Sequence, residues 1–293
     1  MRVGTGALLL LLPSSCLVPA STALEPTTAA VAATPLPDIS ARSDAFVLRR
    51  APQQGLVILA RAPADTTAVT LDGVALPLAE DGIFLLASDR DAPARATLRA
   101  ERGRDPPIEA ALTIAPGQWR IEHINAPYRG NASNNADFAR RRPAELDQIN
   151  AARRQNAMSD GWRQDFIWPV RGRLSGFFGS QRVYQGKPGS YHSGLDIAAP
   201  SGTPFVAPAD GVVVLAAAAP FTLEGHLLLV DHGMGLTSAF LHAARLDVAV
   251  GQVVRQGQVL GAVGATGRAT GPHLHWGMRW RAARLDPLPL LPR

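Results

Sequence analysis

Apolar and polar positions follow several different rhythms along this chain. Arg2 precedes an unbroken apolar run over residues 7–12, and the small residues Ser21 and Ala23 follow, which is the order of a signal peptide over residues 1–23. Residues 24–37 are rich in Ala, Thr and Pro without apolar periodicity and read as a flexible spacer. From residue 46 to 124 the apolar positions come in short β-type runs, among them 56–59, 68–71 and 83–86, and Asp72-Gly73 and Asp81-Gly82 supply hairpin signals. This pattern predicts a small antiparallel β-sandwich over 38–125.

A polar, Asn-containing linker follows, and the period then changes to that of a helix. Pro143 fits a first helical position, Leu146, Ile149 and Ala152 or Arg153 recur at helical spacing, and Ser159-Asp160-Gly161 offers a stop. One weak apolar stripe among many arginines predicts a helix lying on a surface, within a linking segment over 126–165 in which few contacts should cross. Residues 131–135 are the place to expect any element that covers a groove.

From 166 to 293 the chain is rich in Gly and Val, with apolar runs at 211–215, 227–230 and 236–241. Residues 202–211 and 251–261 look alike, each with glycines bracketing strands that must bend where hairpins cross. The expected fold is therefore mainly all-β: a β-sandwich, a linking helix, and an antiparallel β domain with crossed hairpins.

Composition narrows the function. The formal charge of +5 suits an anionic surface, but no dense Lys/Arg stripe points to nucleic acid. Beyond the leader no stretch reaches the roughly 20 apolar residues of a membrane helix, so no stable membrane insertion is expected after signal removal. The single cysteine, Cys16, lies in the leader; Pro13-Ser14-Ser15-Cys16 lacks the leucine of a lipoprotein site, so export and release is the reading. Without cysteines in the mature chain, any metal must be held by nitrogen and oxygen.

Candidate chemistry lies in the last third. Gly271-Pro272-His273-Leu274-His275-Trp276 puts two imidazoles on one face of a strand, and His192 and Asp196 are four residues apart, on one side of either a strand or a helix. Two histidines and one aspartate make a three-ligand zinc set with a fourth position open for water. His123, His226 and His232 are single histidines with simpler structural readings, and Arg182 reads as an exposed arginine near a groove. No His-Glu-x-x-His occurs. The glycine-bracketed hairpins also resemble biotinyl or lipoyl carrier domains, but Lys187 stands in a loop and not at the tip of either repeat.

His192-Ser-Gly-Leu-Asp196, Phe240-Leu-His242 and Gly-Pro-His273-Leu-His275, flanked by Asp231-His232-Gly233 and the glycines of 264–271, resemble the lysostaphin-type (LytM, M23) zinc peptidases over about 168–286. The resemblance implies an antiparallel β-sheet peptidase domain, a duplicated hybrid motif, with a groove across one sheet. It implies Zn2+ held by His192, Asp196 and His275, with His242 and His273 as proton-transfer and oxyanion-stabilising groups. It further implies an exported, periplasmic or secreted endopeptidase acting on peptidoglycan peptides, with regulatory envelope proteins as partners. A catalytically silent peptidoglycan-binding regulator of another wall hydrolase is the alternative. One departure stands out: Phe240 replaces the usual tyrosine two residues before His242, removing a hydroxyl expected near substrate.

Overall fold

A computed structural model describes residues 1, 44–128 and 136–292. The leader, Cys16, the spacer and residues 131–135 lie outside the described residues, apart from Met1. Leu36–Arg293 form one compact unit.

The apolar runs of the first half become two antiparallel sheets. One joins Val47–Leu48, Val57–Arg61 and Ile83–Ala87; the other joins Val74–Leu76, Thr66–Leu71, Arg95–Arg102 and Ile108–Thr113. Alternation along Arg95–Arg102 buries Ala96, Leu98 and Ala100 and leaves the intervening side chains more exposed, and Leu98, Val69 and Phe84 belong to the same buried cluster. Each such fully buried Leu or Phe contributes about 1.5–3 kcal/mol. Asp72-Gly73 forms the expected turn, with φ of 48° and 80°.

An eight-stranded sheet organises the second half. Its path runs Val253–Val254, Gly211–Ala216, His226–Asp231, Leu236–Ala243, Leu274–Trp280, Leu195–Ala198 and Arg173–Gly176, with Ala283–Leu285 added beside Leu274–Trp280. The two look-alike glycine-bracketed stretches pair with each other twice. Pro204–Val206 lies antiparallel to Val259–Ala262 in a separate small sheet, while Gly211 and Val212 pair with Val254 and Val253 in the large one. This exchange of strands between two sheets is the crossed-hairpin arrangement the glycine pattern predicts. Trp276, Phe205 and Phe240 pack beneath the large sheet with no exposure.

Three differences from the sequence reading have physical causes. The helix Ala136–Arg153 begins before Pro143 and carries that proline inside it. Proline removes one backbone donor there, but neighbouring side chains anchor that turn: Arg142 pairs with Glu224 at 2.6 and 2.7 Å, and Arg141 donates to the carbonyl of Pro220 at 2.6 Å. The stripe facing the sheet is Glu145, Ile149 and Ala152, with Leu146 left 40% exposed. Glu145 replaces Leu146 because Thr222 donates to it from both its N–H (2.8 Å) and its hydroxyl (2.6 Å), satisfying a buried carboxylate. Finally, many contacts join the two halves. Ile121–Ile124 pairs in parallel with Gln181–Tyr184, the N–H of Asp286 donates to the carbonyl of Gly55, and one apolar cluster runs from Val57 to Leu291.

Candidate metal centre and its cleft

Adjacent strands bring the first donors together. Asp196 and His275 stand opposite each other where Leu195–Ala198 pairs with Leu274–Trp280. His192 enters from a loop fixed by two reciprocal backbone bonds: Gly179 N–H to the His192 carbonyl and His192 N–H to the Ser180 carbonyl, both 2.8 Å. As a result Asp196 Oδ1 lies 3.0 Å from His192 Nε2 and 2.8 Å from His275 Nδ1, and the two nitrogens are 3.1 Å apart. Among the described residues these three side chains form a group able to hold a metal ion.

The spacing and chemistry of these donors fit a zinc ion. Tetrahedral bonds of about 2.0–2.1 Å space donor atoms about 3.3 Å apart, close to the observed spacings. His192 Nδ1 is 3.1 Å from the carbonyl of Phe177 and so carries the proton in the neutral ring, which turns the Nε2 lone pair toward an acceptor-only carboxylate. Lone pairs converging this way call for a cation. The pKa of His192 shows the same demand: burial opposes its charge, yet the hydrogen bond and charge of Asp196 outweigh burial and raise it. Burial works against the Asp196 carboxylate as well, but His192 and His275 hold it well below the ordinary carboxylate range.

Two glycines clear this space. A Cβ on Gly176 would lie 2.3 Å from Asp196 Oδ2, and one on Gly194 would lie 2.6 Å from both His275 Nε2 and the backbone oxygen of Trp276.

His242 and His273 stand beside the trio. His273 anchors Nδ1 on the Gly271 carbonyl at 2.8 Å, and its Nε2 lies 3.8 Å from Asp196 Oδ1. His242 is aimed by a β-bulge: Phe240 pairs with Leu228 but Ala243 pairs with His226, so Leu236–Ala243 carries one extra residue there. At the bulge His242 adopts φ of 66°, a region few non-glycine residues occupy, and its Nδ1 bonds the Thr266 carbonyl at 2.8 Å. Burial lowers its pKa to about 4, with neighbouring His275 and His273 adding to the effect, so it is neutral near pH 7. Its ring centre is 4.9 Å from that of His273 and 6.2 Å from that of His275.

The bulge also corrects the reading of Phe240. Alternation would put residues 240 and 242 on one face; the extra residue breaks that relation, and Phe240 packs fully buried against Phe205 and Trp276. A tyrosine hydroxyl there would point into the core and away from substrate.

The trio lies between two clefts. One, of about 950 Å³, is lined by His192, Asp196, Phe177, Arg120, Tyr128 and Tyr184. The other, of about 420 Å³, meets His192, His242 and His275 at one end, and the helix residues Leu146, Ile149 and Arg153 form part of its wall.

The remaining sequence candidates fall elsewhere. His232 is fully buried, its Nδ1 2.7 Å from the Asp210 carbonyl and its Nε2 2.8 Å from Ser238 Oγ, which also accepts from Trp276 Nε1 at 3.1 Å. His226 Nδ1 meets the Ala217 carbonyl at 3.2 Å, and His123 is exposed. Arg182 lines the larger cleft while pairing with Glu122 at 2.8 Å. Lys187 follows a tight turn at Gln185-Gly186 and pairs across it with Tyr184, so it does stand beside a hairpin tip, though not one belonging to either repeat. Two arginines escaped the sequence reading. Arg90 reaches the His192 loop from the sandwich, and Arg279 shares a strand face with His275; only the i+4 alternation of the latter was legible in advance.

The family model for Peptidase family M23 matches residues 190–287. A crystal structure described as a candidate M23 peptidase from Pseudomonas aeruginosa superposes with a TM-score of 0.63 at 30% identity, covering 82% of this chain and 95% of that one. Cell division protein DipM of Caulobacter vibrioides is 39% identical over 134 residues, 44% of this chain and 21% of its own length. Peptidoglycan DD-endopeptidase ShyA of Vibrio cholerae is 39% identical over 105 residues, 36% of this chain and 24% of its own. The chain thus spans under a quarter of the length of these curated relatives.

Proposed function

The chain belongs to peptidase family M23, and from that premise we propose that it is a zinc-dependent endopeptidase cleaving peptide cross-links or stems of peptidoglycan outside the cytoplasmic membrane. The observation that carries this reading is the convergence of His192, Asp196 and His275 on one point, with two further imidazoles beside it. No helix among the described residues is long and apolar enough to cross a membrane.

His192 Nε2, Asp196 Oδ1 and His275 Nδ1 would hold the ion. Zinc bound there supplies Lewis acidity, polarising the scissile carbonyl and acidifying a water near neutral pH. His242, neutral at pH 7 and fixed through Nδ1, presents Nε2 as the base that takes the proton of the attacking water. His273, fixed the same way, would in its protonated form donate from Nε2 to the developing oxyanion, and the proton taken up by His242 passes on to the leaving amine. Residues 166–293 act as the peptidase domain and the sandwich over 38–125 as its positioning element. Both helper histidines are present, which favours an enzyme over a silent wall-binding regulator.

The test is metal analysis of the purified chain together with mass identification of peptides released from purified walls. One zinc per chain and chelator-sensitive release are expected. A chain that binds walls without zinc and releases nothing would replace this reading with the regulator.

A further inference from the structure

The smaller cleft contains more positive charge than its own acids balance. Arg153 comes from the helix Ala136–Arg153, Arg279 from the strand Leu274–Trp280 and Arg284 from Ala283–Leu285, and all three line the cleft that ends at His192, His242 and His275. Among the described residues none of the three has an ion-pair partner. Of the nearby acids, Glu224 is paired with Arg142 at 2.6 and 2.7 Å, while Asp89, whose Oδ2 accepts from the backbone N–H of Arg284 at 2.8 Å, offsets the charge of Arg279 only in part.

Arg279 is the clearest case. Its Nε is buried without a hydrogen-bond partner, and its Nη2 is spent on the Ala282 carbonyl at 2.9 Å. Burial, and next the charge of Arg284, lowers its pKa, so the site as it stands is electrostatically unsatisfied. An unmet buried donor on a charged group is costly unless something arrives to accept from it.

Strand geometry places this charge relative to the chemistry. His275, Gly277 and Arg279 share one face of Leu274–Trp280, and neighbouring Thr237 and Ala239, paired with Arg279 and Gly277, line the same cleft. At about 3.4 Å per residue, Arg279 lies roughly 13 Å along the strand from His275. The floor between them is low, formed by Gly277, Ala239 and Thr237, so an extended chain can lie over it.

We infer that Arg279, with Arg284 and Arg153, forms a carboxylate-binding subsite, and that the preferred substrate is an acidic peptide with a free carboxylate three or four backbone units from the scissile amide, not an uncharged bridge. This inference rests on the peptidase reading above and deepens it. Arginine suits the task because its planar fork meets a carboxylate through two parallel hydrogen bonds and stays charged at any working pH.

The test uses the zinc-loaded full chain with two probes: an uncross-linked acidic stem tetrapeptide with free carboxylates, and the same peptide with every carboxylate converted to carboxamide. Binding is measured by calorimetry at low salt. Wild type is expected to prefer the acid by a factor on the order of 10 or more, the usual worth of a charge-assisted pair. Arg279→Gln should reduce that preference to within about threefold at unchanged zinc content, and Arg279→Lys should retain part of it. Arg153→Gln, at the end of the helix and outside the sheet, should weaken the preference with no change in thermal unfolding, which covers the case of an Arg279 variant that fails to fold. Equal binding of acid and amide by wild type, or a preference that survives both Gln substitutions, overturns the inference. Zinc content and wall cleavage, measured on the same preparations, report separately on the peptidase reading.

Discussion

Arg90, from the sandwich, donates from Nε and Nη2 to the carbonyl of Gly179 at 3.2 and 3.1 Å, and the N–H of that same Gly179 donates to the carbonyl of His192. A nearly buried guanidinium on one half of the chain thus fixes the backbone that delivers a donor on the other. Its Nη2 also reaches Gln181 Oε1 at 2.9 Å, and its plane lies 4.7 Å from the centre of the Tyr191 ring. Arg90→Ala leaves a buried carbonyl and amide oxygen unmet and is expected to cost about 2–3 kcal/mol. It should also weaken zinc binding by loosening His192. Denaturant unfolding and zinc titration check both effects, and unchanged zinc affinity would separate the clamp from the site.

The same contacts bear on dissection of the chain. A fragment of residues 166–293 keeps all five candidate site residues but loses the strand Ile121–Ile124 beside Gln181–Tyr184, the Arg90 clamp, and Trp119, whose ring packs edge-on against Phe178 at 5.5 Å. The fragment is expected to fold and bind zinc, with a lower unfolding temperature than the chain that retains the sandwich. Calorimetry with and without excess zinc checks this; an insoluble, metal-free fragment would mean the two halves fold as one.

The proposed ligand and proton-transfer roles fall two residues apart, on His275 within the strand Leu274–Trp280 and on His273 just before it. His275→Ala leaves two donors, so zinc and activity should fall together. His273→Ala keeps the trio, so zinc should stay while cleavage drops by a factor on the order of 10² to 10⁴. Metal content and released wall peptides are measured for both. Loss of zinc only in the His273 variant would exchange the two assignments.

Gly194→Ala tests the room around the trio without removing a donor. The added Cβ must push away His275 Nε2 and a backbone oxygen, both at 2.6 Å. Backbone cannot yield cheaply inside a paired strand, so the ring moves and zinc affinity should drop at least tenfold, for about 1.4 kcal/mol of lost donor geometry. Wild-type affinity in this variant would show that the loop carrying Gly194 gives way.

Acid stability is expected to report on His232, remote from the trio. Burial lowers its pKa to about 4, while in the unfolded chain it titrates near 6.5. The unfolded state therefore binds the extra proton first, and stability contributed by neutral His232 is complete above about pH 6.5 and is lost as pH falls toward 4. Between pH 6.5 and 5 the loss is about 2 kcal/mol. His232→Gln should flatten this part of the pH–stability curve; an equally steep curve would assign it to other groups.

What the sequence made legible follows from the range of each interaction. Strand alternation and turn glycines are local, so the sandwich, the crossed hairpins and the facing of His275 could be read from neighbours in the chain. Glu145 in place of Leu146 could not, because its burial depends on Thr222, 77 residues away. The direction of Phe240 was misread because a bulge is a relation between two strands, and the strand carrying His226 and Leu228 has to be in place before Leu241 and His242 together stand opposite the single residue Leu227. Arg90 was invisible for the same reason: its partners Gly179 and Gln181 are 89 and 91 positions on.

Asp196 and His275, the pair that face each other across two strands, are 79 residues apart in the chain. A metal joining them closes a loop of that length, so in an extended polypeptide the donors are strangers, and simultaneous capture carries the full entropic cost of bringing the ends together. Assembly of the central strands removes that cost beforehand. On the metal reading proposed above, loading would follow folding, and a chain still unfolded would carry no preformed metal site. The ion, once seated, acts as a rivet across the sheet, and its stabilisation should grow with its free concentration by mass action.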